Sequence, residues 1–288
     1  MARPRPNSPE SVTTPRPVTS MVPTEAVQFY RDAMRALREH GVPFLVGGAF
    51  AMTEYTGIAR HTNDFDLFVL PEDRDRAIAT LGAVGDCTEL TWPHWLAKAY
   101  REGHYVDIIY NSSNGIAPVD EKWFDRAVSA TVMGIPVKLV PVEEILWQKA
   151  FIMDRERYDG ADVAHLLRAR SSFIDWQHLL DRFGEEWRVL YSHLVLFGFI
   201  YPDLRKSVPA WVVERFSARL SGHRHEPVPT TKVCRGTLLT RWQFLVDVLE
   251  WGYRDARMWP RQLMSIVDLA RWTGGIAEVG EEPRMKCP

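Results

Sequence analysis

Cysteine is scarce in this chain. Cys87, Cys234 and Cys287 are the three among 288 residues, far apart and without a C-x-x-C pair. An odd, sparse count argues against a disulfide framework or a structural zinc site and fits a reducing compartment. Long apolar runs are lacking too. The longest, Leu194 to Tyr201, has eight residues, against ~20 for a membrane-spanning helix. The N-terminus carries arginines but no apolar stretch of the secretory kind. The expectation is a cytoplasmic protein with no membrane partner. Net charge is nearly absent as well: 35 Lys and Arg stand against 37 Asp and Glu, formally −2. That excludes a bulk polycation binding nucleic acid through net charge alone. With 46% hydrophobic and 11% aromatic residues, the chain is no acidic disordered polymer either.

Residues 1–24 hold six prolines and no apolar periodicity, which predicts a disordered or extended tail. Thr24 reads as an N-cap for a helix over 25–40, with Val27, Tyr30, Met34 and Leu37 at helical spacing and Gly41 as its stop. A short strand over 43–46 leads into Gly47-Gly48 and a helix over 49–56. A clear strand follows over 65–70, then a helix over 72–81. A further strand over 105–110 is closed by the turn-forming Asn111 to Gly115. A hairpin over 131–140 turns at Gly134. Helices are expected from Pro141 to about Met153 and over 161–169. After about Ser171 strand signals vanish: 173–183, 185–200, 209–220, 238–252 and 260–272 all read as helices. The pattern predicts a mixed α/β or α+β region, 25–170, and an all-helical C-terminal domain, 171–288.

The chemistry concentrates between Gly47 and Asp66. On a strand, alternate side chains share a face, so Asp64 and Asp66 project together while Phe65 and Leu67 enter the core. Paired carboxylates repel, and burying them unpaired is costly. A divalent cation resolves the conflict, and oxygen-only ligands suit Mg²⁺ or Mn²⁺. Asp107, inside the apolar strand 105–110, is the candidate third ligand; the alternative is an edge residue facing solvent. Gly47-Gly48, after a strand and before a helix, lets backbone approach a phosphate closely. Arg60 either contacts nucleotide phosphates or balances the acids. Lys149 either reaches those phosphates from the opposite side or is a solvated lysine. Trp242, Trp251 and Trp259 read as core rather than base-stacking residues. The His223-Arg224-His225 group reads as solvated.

These residues resemble a family. Gly47-Gly48-x-x-Ala51, then Gly57, then Arg60-x-Thr62-x-Asp64-x-Asp66, with Asp107 on a later strand, is similar to the nucleotidyltransferase fold. That fold is shared by DNA polymerase β, antibiotic nucleotidyltransferases and abortive-infection toxins. Pro141, Glu144, Leu146, Lys149, Arg155, Arg157, Asp159, Asp162 and Leu166 resemble a second segment of the toxin-like and related bacterial members. The resemblance spans about residues 40–170. One departure is Ala49, where many members carry a phosphate-contacting Ser.

The resemblance implies an α+β fold, a nucleotidyltransferase-like mixed sheet flanked by helices. It implies metal-dependent transfer of a nucleoside monophosphate from an NTP to an acceptor hydroxyl, with pyrophosphate released. On that reading Asp64, Asp66 and Asp107 bind metal and act in catalysis with Lys149, and Gly47, Gly48, Arg60 and Thr62 contact the nucleotide. The acceptor is left open among RNA, protein and a small molecule, and an antitoxin-like partner is consistent with the toxin-type members. A catalytically silent, nucleotide-sensing or partner-binding protein of the same fold is the competing expectation.

Charge is divided along the chain. Residues 25–168 carry 15 basic and 22 acidic residues, and 169–288 carry 17 and 14. Lys232, Arg235, Arg241, Arg254, Arg257 and Arg261 fall within thirty residues. This suits a phosphate-bearing acceptor or, equally, solvated helical faces.

Overall fold

The computed structural model describes residues 22–225 and 227–274. The proline-rich tail up to residue 21 lies outside them, as does Cys287. The chain runs α1 (Thr24–Glu39), β1 (Leu45–Val46), α2 (Gly48–Thr56), β2 (Asp64–Phe68), α3 (Arg74–Gly82), β3 (Cys87–Trp92), β4 (Leu96–Arg101) and β5 (His104–Ile109). It continues with α4 (Glu121–Asp125), β6 (Val128–Val132), β7 (Ile135–Leu139), α5 (Val142–Ala150) and α6 (Gly160–Arg170). The last part holds α7 (Trp176–Phe183), α8 (Trp187–Ile200), α9 (Ala210–Gly222), β8 (Val233–Cys234), α10 (Leu245–Leu249), β9 (Arg254–Asp255) and α11 (Ile266–Gly274).

Seven strands form one mixed sheet in the order β3-β4-β5-β2-β1-β7-β6. β2 runs parallel to β5 and β1 parallel to β7, while β1 and β2 are antiparallel. β2 therefore sits at the centre, with a neighbouring strand on each edge. Its Phe65 stacks on Tyr30 of α1 at 4.8 Å and meets the edge of Phe50 of α2 at 5.0 Å. Its acidic side chains take the opposite face. α1 buries Ala26, Phe29, Tyr30, Ala33, Met34 and Leu37, a helical stripe that covers the sheet. Pro23, not Thr24, precedes its first turn. Gly41 leaves the helix at φ +66°, a backbone angle that a side chain disfavours.

The expected hairpin is present as β6 and β7. Its turn, Met133-Gly134, has φ +49° and +77°, the double positive φ that matches strand twist in a two-residue loop. Strands β3 and β4 do not stand out in the sequence. β3 mixes Thr, Glu and Trp without alternation, and β4 is Leu-Ala-Lys-Ala-Tyr-Arg. Both are made strands by pairing: β4 lies antiparallel to β5 along its whole length.

The C-terminal half is helical, with two departures from the expected lengths. The stretch read as one helix over 238–252 holds only the five-residue α10, and α11 begins at Ile266 rather than near 260. The backbone just before α10 is satisfied elsewhere. Met153 N–H donates to Leu239 O at 3.0 Å, Asn114 Nδ2 to Leu238 O at 2.7 Å, and Arg241 N–H to Asp154 Oδ1 at 2.8 Å. Groups bonded to the sheet half are not available for helical bonds. A two-residue parallel pairing of β8 with β9 adds a small strand element.

One apolar cluster runs from Val22 through the sheet to Phe216 and Ala256. A charged joint ties α5 into it. Glu144 is fully buried. It accepts from His178 Nε2 at 2.7 Å and Arg182 Nε at 3.0 Å, while Arg182 also grips Asp120 through two bonds of 2.6 and 2.7 Å. Removing one partner of such a pair leaves a buried charge uncompensated. Arg182→Met should therefore cost about 3–5 kcal/mol in urea denaturation, and Glu144→Gln in the same chain should recover part of it. A loss under ~1 kcal/mol would show that Arg182 does not compensate Glu144.

Candidate active site

Asp66 and Asp107 are Cα partners across the parallel β2–β5 pair, and Asp64 lies two residues along β2 on the same face. A carboxylate oxygen from each stands within 4.8 Å of the other two. Strand register alone thus gathers the three acids predicted to act together.

The glycine pair fits against this group. Gly47 N–H donates to the Asp66 carbonyl at 3.0 Å. That bond draws the turn over β2, where side chains do not fit. A Cβ on Gly48 would stand 1.6 Å from Asp66 Oδ2, and Gly48 has φ +52°. A Cβ on Gly47 would stand 2.2 Å from Phe68 Cε2. The turn is bare because Asp66 and Phe68 occupy the space, and it opens α2 beside the acids.

Compensation of the three carboxylates is incomplete. Lys98 on β4 reaches Asp107 Oδ1 at 2.8 Å and lies 3.9 Å over the Tyr105 ring. Thr62 donates to Asp64 Oδ1, so its hydroxyl orients a carboxylate. Asp66 has no ion pair among the described residues. Its burial, with Asp64 and Asp107 alongside, pushes its pKa up to about 8, opposed by Lys149 and Arg157. Burial also raises Asp107, against the pull of Lys98. An all-oxygen set with surplus negative charge fits a hard divalent cation.

Beside the acids lies a second cluster. Lys149 on α5 sits between Asp159, at 2.7 Å, and Asp162, at 2.8 Å. Arg157 makes two bonds of 3.1 Å to Asp159. Arg60 pairs with Asp162 and lies 3.3 Å from His165 Nδ1.

A cavity of about 400 Å³ opens over the acids. Gly48, Asp64, Asp66, Asp107, Lys149 and Arg157 line it; Gly47, Arg60 and Thr62 do not. Its far wall comes from residues that sequence reasoning did not place at the site: Trp95, the 111–114 loop, 237–242 and Trp272. Trp242 is half-buried there, and Trp251 and Trp259 are 60% and 37% exposed, so none of the three is core. With α10 so short, no helix face turns them inward. Lys98 was missed as well. Its one signal is a lone charge between alanines in a segment that reads as a strand only beside β5.

The basic group after residue 231 is largely engaged. Arg257 is fully buried on Asp255 at 2.6 Å, and Arg261 pairs with Glu186 at 2.6 Å. Arg241 lies over the rings of Trp92, Trp242 and Trp272 at 4.9, 4.6 and 4.1 Å.

The strain on Asp66 has a measurable sign. With cations chelated, the folded chain keeps a proton on Asp66 up to pH of about 8, whereas an unfolded carboxyl releases it near pH ~4. The native state binds more protons in that window, so stability falls as pH rises through it. Melting temperature in chelator should drop from pH 5 to 8. Asp66→Asn should flatten the drop, gaining about 2–8 °C at pH 8, and Mg²⁺ or Mn²⁺ should reverse it in the unmutated chain. Equal slopes for both chains would place the strain elsewhere.

No curated protein matches the sequence. Among solved structures the chain is similar to the antibiotic-resistance factor ANT(2'')-Ia, at 18% identity and TM-score 0.36, over 70% of this chain and 99% of that one. It is similar to the lincosamide antibiotic adenylyltransferase LnuA, at 16% and 0.37, over 51% and 98%. A nucleotidyltransferase-like protein from Paracoccidioides brasiliensis shows 16% and 0.36, over 65% and 93%. The sequence of residues 25–192, which contains the glycine turn, the three acids and the Lys149 cluster, matches the model of one family. By that match the chain belongs to the uncharacterised nucleotidyltransferase family.

Proposed function

We propose that the chain transfers a nucleoside monophosphate from an NTP to a hydroxyl of an acceptor and releases pyrophosphate. One observation carries this reading: three carboxylates converge within 4.8 Å at the mouth of a glycine turn. Asp64, Asp66 and Asp107 would hold Mg²⁺ or Mn²⁺, which supplies charge neutralisation of the triphosphate and of the attacking oxygen.

The chain's own residues divide the remaining work. Gly48 leaves the backbone bare where phosphate oxygens approach, and the free N–H groups of the first turn of α2 favour an anion there. Lys149 and Arg157 line the same cavity and supply positive charge for the departing pyrophosphate. Their Asp159 and Asp162 partners fix the Lys149 ammonium in place. Asp107, raised by burial, accepts the hydroxyl proton, and Lys98 holds its carboxylate in register with Asp66. Thr62 sets the orientation of Asp64.

The test is transfer of label. Purified chain with Mg²⁺, cell extract and NTPs labelled at the α or the γ phosphate should move only the α label to an acceptor. Asp64→Asn and Asp66→Asn should each lower the rate by about 1,000-fold or more while keeping a cooperative melt. Transfer of the γ label, or full activity in both variants, would overturn the assignment.

A further inference from the structure

The seven-stranded sheet has two edges, β3 and β6, and they are built differently. β3 carries Glu89, and its register with β4 shifts between Glu89 and Trp92. A charge and a bulge are devices that keep an edge strand from pairing with another chain. β6 has neither. Val128-Ser129-Ala130-Thr131-Val132 is uncharged, lacks proline, and pairs with β7 residue for residue. Among the described residues no strand lies on its outer side.

The hairpin decides which backbone groups face outward. Val132 and Ile135 flank the two-residue turn and form a hydrogen-bonded pair, and such pairs recur at every second position. Val128 and Ala130 therefore bond to β7, while Ser129 and Thr131 turn their N–H and C=O groups away from it. Pro136 stands opposite Thr131, at a position that needs no N–H toward β6. The outward groups of Ser129 and Thr131 have no backbone partner among the described residues. Such a row is the template for adding an extended chain to a sheet.

The two faces of the edge call for different side chains. Val128, Ala130 and Val132 share a face with Ile135, Val137 and Leu139, which are buried. Val128, at the end of this face, is 49% exposed, and an apolar side chain of an added strand covers it. Ser129, Thr131, Pro136 and Lys138 take the other face and are exposed. Beside them opens a groove of about 350 Å³, with Phe44 in its lining and Arg38 at its rim. Arg38 Nη1 donates to Pro136 O at 3.5 Å, which keeps the guanidinium next to the hairpin. Arg38 and Lys138 have no ion pair among the described residues, and no carboxylate lines the groove.

We infer that β6 is a docking edge that takes an extended acidic segment of another protein as an eighth strand. That segment alternates apolar and acidic residues. Main-chain bonds to Ser129 and Thr131 hold it, apolar side chains cover Val128, and carboxylates on the other face meet Lys138 and Arg38. An added strand lies ~10 Å from β7, a gap that a lysine and a glutamate side chain bridge from its two sides. A second copy of this chain fits less well. It would present β6 again, which has no acid from Val128 to Val132, and would leave both cations unmet.

Fluorescence anisotropy on the full chain tests the inference. The probe is the capped, dye-labelled peptide Thr-Val-Glu-Val-Glu-Val-Thr, set against the same peptide with Lys for Glu. The glutamate peptide should bind with a Kd below about 200 μM and the lysine peptide about tenfold more weakly. Arg38→Glu combined with Lys138→Glu should reverse that preference, which a loss of fold cannot do. Only alternate residues of an added strand bond to the edge. N-methylation of the glutamate amides or of the valine amides should therefore abolish binding in one case and spare it in the other. Thr131→Pro removes an outward N–H and should weaken the glutamate peptide about tenfold. If that variant does not melt cooperatively, the methylated pair tests the same bonds on the unmutated chain. No saturable binding, equal binding of the glutamate and lysine peptides, or equal effects of the two methylations would each overturn the proposal. Concentration-dependent dimerisation that excludes the peptide would assign the edge to a second copy and overturn it as well.

Discussion

Mutual repulsion of three carboxylates is the constraint around which this molecule is arranged. The parallel pairing of β2 with β5 puts Asp66 opposite Asp107, and the alternation of β2 adds Asp64. No apolar packing relieves that charge. The surroundings answer it piecemeal: Lys98 against Asp107, Thr62 against Asp64, and Lys149 and Arg157 at a remove from Asp66. The glycine turn follows from the same crowding, because the backbone passes where the Asp66 side chain already stands. What is left is a negative centre that favours cations.

The centre was legible in the sequence because its parts are local. Asp64 and Asp66 are two residues apart, the glycines precede them after a strand, and Asp107 is a charge out of place in an apolar run. The outer parts were not legible. The sequence left two readings for each of Arg60 and Lys149, phosphate contact or charge balance for the first and phosphate contact or a solvated lysine for the second; both pair with Asp162, and Lys149 lines the cavity while Arg60 stands outside it. Their partners are about a hundred and a dozen residues away in sequence, a relation that no periodicity reveals. β3 and β4 were missed because alanine, lysine and threonine make strands only when a neighbouring strand is supplied. The same holds for 237–242, whose backbone bonds to the 111–114 loop and the segment after α5 as well as to its own short turn at Gly236.

The C-terminal half contributes more than a scaffold. Through Glu144, His178 and Arg182 it fixes α5, and so the helix that carries Lys149. Through Thr240, Trp242 and Trp272 it provides the wall facing the acids. The cavity is anionic at the sheet and aromatic across from it, where Arg241 lies among Trp92, Trp242 and Trp272.

The wall also sets an order of events during synthesis. Asp64 and Trp272 border one cavity although roughly two hundred residues separate them, a contact that is among the last a growing chain can make. A nascent chain that has released α1 to α8 holds the acids, the glycine turn and Lys149 but has no wall opposite them. The wall opposite the acids is therefore completed only with the final described helix, α11.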